Sequence, residues 1–213
     1  MTISDRDLAA LAEAAYRGVP TWRGPSGACA DAAATLTVLP RAAAADEVCV
    51  VACRGTGHDE LLVLLDLLHD LDFRRAQDPD LGWCDEGFLS LILALIDPIA
   101  AELEGKMVQT VGHSLGGVIA LGLAAKLAAR GFRVLTPVTF GAPRLGMGDR
   151  FLQAFAAIGA RQYRCGNDPV PDLPPAGLGW LHVRDPVSIG APCSIALEAH
   201  LMARYRAALG DKS

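Results

Sequence analysis

The stretch from residue 108 to residue 140 constrains the fold of this chain more than any other part of the sequence. Residues 108–111 are a β-branched run that predicts a strand, residues 114–130 are rich in Ala, Leu and Gly and predict a long helix, and residues 134–140 predict another strand. A strand–helix–strand unit of this length suits a right-handed parallel crossover. Strands and helices alternate elsewhere too, so we expect an α/β fold with a mainly parallel central sheet and helices on both faces.

The remaining elements follow from hydrophobic periodicity and turn residues. Pro98 predicts a kink or break in one of the helices. No repeat, low-complexity tract or linker interrupts the pattern, so we expect a single domain over residues 1–213. The predicted helices cover residues 4–17, 59–71, 86–103, 149–157 and about 196–209, and the further predicted strands cover residues 35–39, 48–53, 161–165 and 180–183.

Charge and hydropathy exclude two classes of partner. The formal net charge is −5 and no basic stripe is visible, which argues against binding to nucleic acid. The composition is 52% hydrophobic, yet no run of 18 apolar residues occurs, which argues against stable insertion into a membrane.

The cysteines and the first residues favour a reducing compartment. The six cysteines form no CxxC pair and no zinc pattern with histidine, so we expect reduced, buried thiols and no metal site. The first seven residues lack a basic region followed by an apolar one, so we expect no signal peptide and a cytoplasmic location.

A G-x-S-x-G pattern at residues 112–116 lies between the predicted strand and the predicted long helix. A turn sharp enough to lift a serine hydroxyl above the sheet brings neighbouring Cβ positions into collision, which explains the glycines. The hydroxyl then lies at a helix N-terminus, where exposed N–H groups and the helix dipole favour developing negative charge. A glycine-rich turn with an N-capping serine is the alternative, but the strand before and the helix after favour Ser114 as a nucleophile.

A serine hydroxyl is a weak nucleophile and needs a base, which in turn needs an orienting carboxylate. His58 and His69 precede the serine and do not fit the chain order Ser–Asp–His of such sites, while the side chain of His113 is expected to point away from the nucleophile. His182, in a predicted strand, and His200, at the start of the last predicted helix, remain as candidate bases.

Asp168 is the favoured orienting carboxylate. It directly follows the predicted strand 161–165 in the sequence Gly-Asn-Asp-Pro, at a strand end where reactive residues of parallel sheets gather. A turn-forming aspartate before proline is the alternative for this residue taken alone. Asp149 resembles a helix-initiating residue, and Asp211 lies in the C-terminal tail.

Two backbone N–H groups are candidates for an oxyanion hole. The first belongs to Leu115, directly after the nucleophile. The second belongs to Thr56, in an Arg-Gly-Thr-Gly sequence that follows an apolar strand. An ordinary glycine-rich turn is the alternative for this second segment. Each oxyanion donor is worth roughly 3–4 kcal/mol of barrier in comparable sites.

Several segments, in their order and approximate spacing, resemble the class 3 lipases, the family of small filamentous-fungal triacylglycerol lipases and their bacterial relatives. The resemblance covers about residues 35–205. It implies the α/β-hydrolase fold, Ser114 as nucleophile, Asp168 as triad acid, Thr56 and Leu115 as oxyanion hole, and His200 rather than His182 as base. The segments that carry it are residues 54–56, 87–88, 112–117, 139–144 and 167–175.

The resemblance also implies a lid over about residues 57–72, an amphipathic helix that covers the site in water and opens at a lipid surface. Residues 60–71 are rich in leucine, as a lid face would be. The apolar arc is wide, however, and a buried packing helix fits it equally well.

We therefore expect a serine hydrolase that cleaves carboxylic esters, with acylglycerols as the favoured substrates and with no metal or organic cofactor. A phospholipase or an acyltransferase built on the same residues is the alternative. A non-catalytic binding domain is less favoured, because Ser, Asp and His are all present. The expected partners are an ester or lipid substrate and, transiently, a lipid interface, with no nucleic acid.

Overall fold

The computed structural model describes residues 3–17, 34–39, 48–55 and 73–210, and every structural statement below concerns these residues. The helices are α1 (Asp5–Arg17), α2 (Glu86–Glu102), α3 (Leu115–Ala129), α4 (Gly148–Ala154) and α5 (Met202–Ala208). Three short 3-10 helices span Val170–Asp172, Ala176–Leu178 and Ala196–His200. The strands are β1 (Ala34–Leu39), β2 (Val48–Cys53), β3 (Arg75–Asp78), β4 (Gly82–Asp85), β5 (Met107–His113), β6 (Arg133–Val134), β7 (Val138–Phe140), β8 (Gly146–Met147), β9 (Arg161–Cys165), β10 (Trp180–Leu181) and β11 (Val187–Ile189).

The main sheet is mostly parallel, as predicted. Its described strands lie in the order β1-β2-β5-β7-β9-β11, with β6 beside the start of β5. Only the β1–β2 pair is antiparallel, and the other neighbours run parallel. Strand β5 lies inside the sheet and is buried over almost its whole length, which accounts for its apolar, β-branched sequence.

Helices cover both faces of this sheet. Along β2, the side chains of Cys49, Val51 and Cys53 join a core shared with α2 and α3, while those of Val50 and Ala52 join a second core. That alternation is the two-residue period of a strand with helices on each side. The second core contains residues of α1 and α5, namely Leu8, Ala9, Ala12, Ala15, Met202 and Tyr205.

Several predicted boundaries were wrong for local reasons. The strand predicted at 134–140 is divided into β6 and β7, because Pro137 has no N–H to donate to a neighbouring strand. The helix predicted at 86–103 is present as α2, which continues across Pro98, so no break occurs there. The helix predicted at about 196–209 is a 3-10 turn followed by α5, with the extended residue Leu201 between them.

A second, antiparallel sheet has the order β10-β8-β4-β3. The strand predicted at 180–183 is present in it as β10, whereas β3, β4 and β8, like β11 of the main sheet, were missed. The missed strands have two to four residues and carry polar or glycine residues, so no sustained alternation of apolar side chains marks them. The helix predicted at 59–71 lies outside the described residues, and the single domain over 1–213 stays a prediction. In the described part of the chain no helix has the length and apolar character needed to cross a membrane.

No disulfide bond joins the described cysteines. Cys49, Cys53, Cys84 and Cys165 are buried, and Cys193 is partly exposed. Burial raises the pKa of Cys53 and of Cys84 to about 12, so both remain protonated near neutral pH.

Candidate active site

Ser114 occupies a strained turn between β5 and α3. Its backbone has φ 57° and ψ −131°, and within the described ranges it is the one residue other than glycine with a positive φ. Its N–H donates to the carbonyl of Phe140 at the end of β7 (2.9 Å), which fixes the turn against the next strand. Such a conformation costs about 1–3 kcal/mol, so the surrounding structure must impose it.

The glycines on either side of Ser114 allow the turn to close. A Cβ at Gly112 would lie 2.1 Å from the carbonyl oxygen of Gly116, and a Cβ at Gly116 would lie 2.2 Å from the carbonyl oxygen of Cys53. No side chain fits at such separations. The first turn of α3 is therefore pressed directly onto the carboxyl end of β2.

Asp168 and His200 are brought together from positions 32 residues apart. Nδ1 of His200 lies 2.8 Å from Oδ2 of Asp168, and the two side chains are 1% and 0% exposed. Asp168 follows β9 in a tight turn, with its N–H donating to the carbonyl of Cys165. His200 is the last residue of the 3-10 helix that precedes α5.

The carboxylate of Asp168 accepts three hydrogen bonds. Oδ2 accepts from His200 and from the phenol of Tyr205 (2.5 Å), and Oδ1 accepts from the N–H of Val170 (2.9 Å). Burial by itself would raise the pKa of this carboxyl. The hydrogen bond and charge of His200, followed by the other two donors, outweigh burial and hold the pKa of Asp168 below its usual value. Asp168 is therefore ionised at neutral pH.

His182 lies in a different environment and makes none of these contacts. Its Nε2 donates to the carbonyl of Pro171 (2.8 Å), and its Nδ1 lies 3.1 Å from the side-chain nitrogen of Gln162. Burial lowers the pKa of His182 to about 4, with a smaller effect from the charge of Arg144. Of the two candidate bases, the structure brings His200 to Asp168 and gives His182 a role in packing.

Two of the buried polar atoms that have no hydrogen-bond partner among the described residues belong to predicted triad residues. They are Oγ of Ser114 and Nε2 of His200. Buried polar atoms are normally paired, so an unpaired one calls for an explanation. The backbone of Ser114 is bonded to Phe140, and the next residue, Gly141, is so close to His200 that a Cβ there would lie 3.0 Å from its Cε1. The backbone of Ser114 and the ring of His200 therefore both lie beside residues 140–141, although no hydrogen bond joins Oγ of Ser114 to Nε2 of His200 in this structure.

Of the two candidate oxyanion donors, Leu115 and Thr56, the structure describes only Leu115. Leu115 is the first residue of α3, where a backbone N–H has no partner inside the helix. Thr56 lies outside the described residues, since this part of the chain is described only as far as Gly55. The roles of both stay predictions.

Tyr205 and Asn167 were not predicted to act in the site. Tyr205 follows His200 within the last predicted helix, but no sequence pattern shows that its phenol reaches Asp168. The side chain of Asn167 donates to the carbonyl of Cys193 (2.9 Å) and accepts from its N–H (2.8 Å), so it joins the loop of Asp168 to the segment that leads to His200.

Asp85 is a buried carboxylate with a structural role. It stands two residues before the pair Gly87 and Phe88, and it begins α2 as the N-cap. Its carboxylate accepts from the N–H of Phe88 (3.0 Å), a contact that satisfies one free donor in the first turn of the helix. This agrees with its absence from the predicted triad.

Comparisons of the sequence point to one family. The profile of the family described as Lipase (class 3) matches residues 50–178, more than half of the chain. The matched range includes Ser114 and Asp168 and ends before His200.

Secreted mono- and diacylglycerol lipase 1 of Fusarium solani is 42% identical over 73 residues, which are 33% of this chain and 21% of that protein. Secreted mono- and diacylglycerol lipase A of Penicillium cyclopium is 30% identical over 125 residues, 52% of this chain and 40% of that protein. The chain thus matches less than half the length of these curated relatives.

Solved structures of fungal lipases share the fold. The triacylglyceride lipase of Rhizomucor miehei superposes with a TM-score of 0.58 at 24% identity, covering 75% of this chain and 62% of that one. A lipase from Rhizopus microsporus var. chinensis superposes with a TM-score of 0.60 at 23% identity, covering 89% and 76%. The α/β-hydrolase fold expected from the sequence is therefore confirmed.

The expected cytoplasmic location was wrong. The curated relatives from Fusarium solani and Penicillium cyclopium are named as secreted lipases, which points to an extracellular location. The error has a simple cause: the location was inferred from the lack of a leader motif, and the lack of a motif does not place a protein in a compartment.

Proposed function

We propose that this chain, which belongs to the class 3 lipase family, is a serine hydrolase that cleaves carboxylic esters, with acylglycerols as its preferred substrates. The curated relatives named as mono- and diacylglycerol lipases support this class of substrate. The proposal concerns the activity of the whole protein, whereas the matched segments cover only part of those relatives.

The observation that carries the proposal is that the ring of His200 is hydrogen-bonded to the carboxylate of Asp168 while its other nitrogen, like the hydroxyl of Ser114, is buried without a described partner. His200 donates from Nδ1 to Asp168, so the proton of the neutral ring lies on Nδ1 and Nε2 keeps its lone pair. Nε2 of His200 and Oγ of Ser114 are both buried without a described partner. A nucleophile and its general base must be free to bond to each other, and in sites without substrate that hydrogen bond is often long.

In the proposed mechanism, Nε2 of His200 takes the hydroxyl proton of Ser114 while Oγ forms a bond to the ester carbonyl carbon. The carbonyl π electrons move onto oxygen, and the N–H groups of Leu115 and Thr56 stabilise that oxyanion. When the tetrahedral intermediate collapses, the alcohol leaves with the proton held by His200. Water then attacks the acyl-enzyme by the same route and releases the acid.

Asp168 stabilises the imidazolium that forms in each step. Its three donors keep it ionised and hold its position, so the charge is already in place when His200 gains a proton.

Substrate entry requires an opening. The side chain of Ser114 is 1% exposed, so an ester cannot reach Oγ in the state described. The lid predicted at residues 57–72 lies outside the described residues and stays a proposal, with enhanced activity at a lipid interface as its consequence.

Replacing Ser114 by alanine tests the chemistry. We expect S114A to lose at least ~10³-fold in kcat on p-nitrophenyl butyrate and to lose labelling by a fluorophosphonate probe. Ser90, whose exposed hydroxyl donates within α2, provides the matched control, and S90A should keep both. Equal turnover by S114A and the wild-type protein would reject the proposed function.

A series of p-nitrophenyl esters from acetate to palmitate, measured below and above the micellar threshold, tests the substrate class. Acylglycerol specificity predicts a preference for longer chains and a rise in rate above the threshold. A preference for short, soluble esters without such a rise would leave an esterase without a lid. Faster release of fatty acid from phosphatidylcholine than from diacylglycerol would indicate a phospholipase.

A further inference from the structure

A second buried hydrogen-bond network reaches His200 through its backbone carbonyl. His113, directly before Ser114, is 6% exposed, and its Nε2 lies 2.7 Å from the carbonyl oxygen of His200. Its Nδ1 lies 2.7 Å from the hydroxyl of Tyr16, a residue of α1. The sequence pattern had indicated only that the side chain of His113 points away from the nucleophile.

The partners fix where the protons lie. A carbonyl oxygen only accepts, so Nε2 of His113 carries the proton and donates to His200. In a neutral ring Nδ1 is then an acceptor, and the Tyr16 hydroxyl donates to it. The N–H of Gly55 donates in turn to the hydroxyl oxygen of Tyr16, a contact that lowers the pKa of this phenol against the larger, raising effect of burial.

We propose that His113 and Tyr16 are positioning residues, which hold the backbone of His200 so that its imidazole stays between Asp168 and Ser114. This inference rests on the proposed role of His200 as general base. His113 touches neither the substrate nor the reacting atoms in this scheme. It acts through the carbonyl of His200, and Tyr16 acts through His113.

The local structure around His200 explains why such support is needed. His200 ends a five-residue 3-10 helix, and the next residue, Leu201, is extended, so no long helix or strand holds its backbone. A displacement of about 1 Å at a catalytic group can cost ~10²-fold in rate. Hydrogen bonds from the end of β5 and from α1 supply the restraint that regular structure does not.

A neutral His113 also suits the site electrostatically. The rings of His113 and His200 lie 4.6 Å apart between centroids, so a charged His113 would repel the imidazolium that forms on His200. Burial, and next the charge of His200, lower the pKa of His113 to about 3. His113 therefore keeps its single proton on Nε2 throughout the neutral range.

Helix α1 is itself firmly attached, which makes Tyr16 a fixed donor. Leu8 and Ala12 are fully buried against the sheet. Asp5 at the start of the helix accepts from the phenol of Tyr163 and pairs with Arg161 (2.9 Å). The network thus connects α1, the end of β2 and the end of β5 with the segment that carries His200.

Two substitutions at position 113 separate the two contacts. In H113Q, the amide nitrogen of the glutamine side chain can occupy the position of Nε2 and still donate to the carbonyl of His200. In H113N, the shorter asparagine side chain reaches only the position of Nδ1, so this donor is lost. We expect kcat on p-nitrophenyl butyrate, per fluorophosphonate-titrated site, to fall about tenfold or more in H113N and H113L and less in H113Q, with KM almost unchanged. Counting titrated sites removes the effect of any unfolded fraction.

A double-mutant cycle tests the role of Tyr16. Y16F should lower kcat several-fold in the wild-type background and less than twofold in the H113L background, because its effect passes through His113. Equal kcat per site in all variants, equal values for H113Q and H113N, or an undiminished Y16F effect in H113L would overturn the inference. S114A would still be inactive in those cases, so the proposed function would stand.

The tautomer of His113 provides a test that needs no turnover. In ¹⁵N-labelled protein, we expect the ring of His113 to remain neutral with its proton on Nε2 from pH 8 to pH 5, and Y16F to shift its Nδ1 resonance. A proton on Nδ1, or an imidazolium at pH 5, would overturn the inference even if no ester is hydrolysed.

Discussion

The turn that carries Ser114 and the segments that carry Asp168 and His200 are held in place by different means. The turn is six contiguous residues, 112–117, between a central strand and a long helix, and backbone contacts fix its shape. Asp168 and His200 lie 32 residues apart, and side-chain hydrogen bonds from distant segments hold them. Sterics therefore control one half of the site, and polar contacts control the other.

This difference predicts two kinds of failure. Adding atoms should damage the serine turn, because there is no space beside its glycines. Removing polar atoms should damage the other half, because each donor restrains a segment with little regular structure. The predictions below test this contrast.

The largest expected effect is at His200. H200A removes the proposed base and should lower kcat by at least ~10³-fold. H182A is the matched control, since His182 bonds to Pro171 instead of Asp168, and it should change kcat by less than about threefold while lowering stability. Measured kcat values in the opposite order would reassign the base to His182.

A methyl group at Gly116 should have the next largest effect. In G116A the Cβ would lie 2.2 Å from the carbonyl oxygen of Cys53, so α3 must shift, with about 3 kcal/mol of destabilisation and a loss of ~10²-fold in kcat. G177A provides the control, because a Cβ at Gly177 meets no atom within 4 Å. Urea unfolding and kcat measure both effects, and equal behaviour of the two variants would contradict a steric origin.

Loss of one phenol should have a smaller effect. Y205F removes a donor from Oδ2 of Asp168 and should lower kcat about tenfold, as well as unfolding free energy by about 1–3 kcal/mol. Y163F removes a phenol that donates to Asp5 in α1, and kcat should stay within about twofold. A full-rate Y205F would show that the remaining two donors suffice to hold Asp168.

Acid should weaken the fold through one buried histidine, His113, and one partly buried histidine, His182. The pKa of His113 is about 3 and that of His182 about 4 in the folded chain, against 6.5 as the ordinary value. Between about pH 6 and pH 4 the unfolded state binds more protons, so stability falls as pH falls, by about 1.4 kcal/mol per pH unit for each histidine. Urea unfolding at several pH values measures the slope. H182Q should reduce the slope of unfolding free energy against pH by the contribution of one histidine. An unchanged slope would contradict the low pKa assigned to His182.

The serine turn could be predicted because its causes are local. A strand, two close-packed glycines, a serine and a helix follow one another directly in residues 108–130, and steric exclusion acts between neighbours in the chain. The alternation of strands and helices likewise indicated the parallel sheet. The short strands β3, β4, β8 and β11 were missed because runs of two to four residues show no recognisable period.

The sequence by itself determined the fold class, the turn at Ser114 and a short set of candidate acids and bases, because these depend on periodicity and on contacts between near neighbours. Only the tertiary structure decided that His200 and not His182 meets Asp168, that Tyr205 supplies a further donor, and that Tyr16 and His113 reach the backbone of His200. Hydrogen bonds between residues 32, 37, 87 and 97 positions apart depend on how the helices pack on the sheet, and no local pattern records that packing.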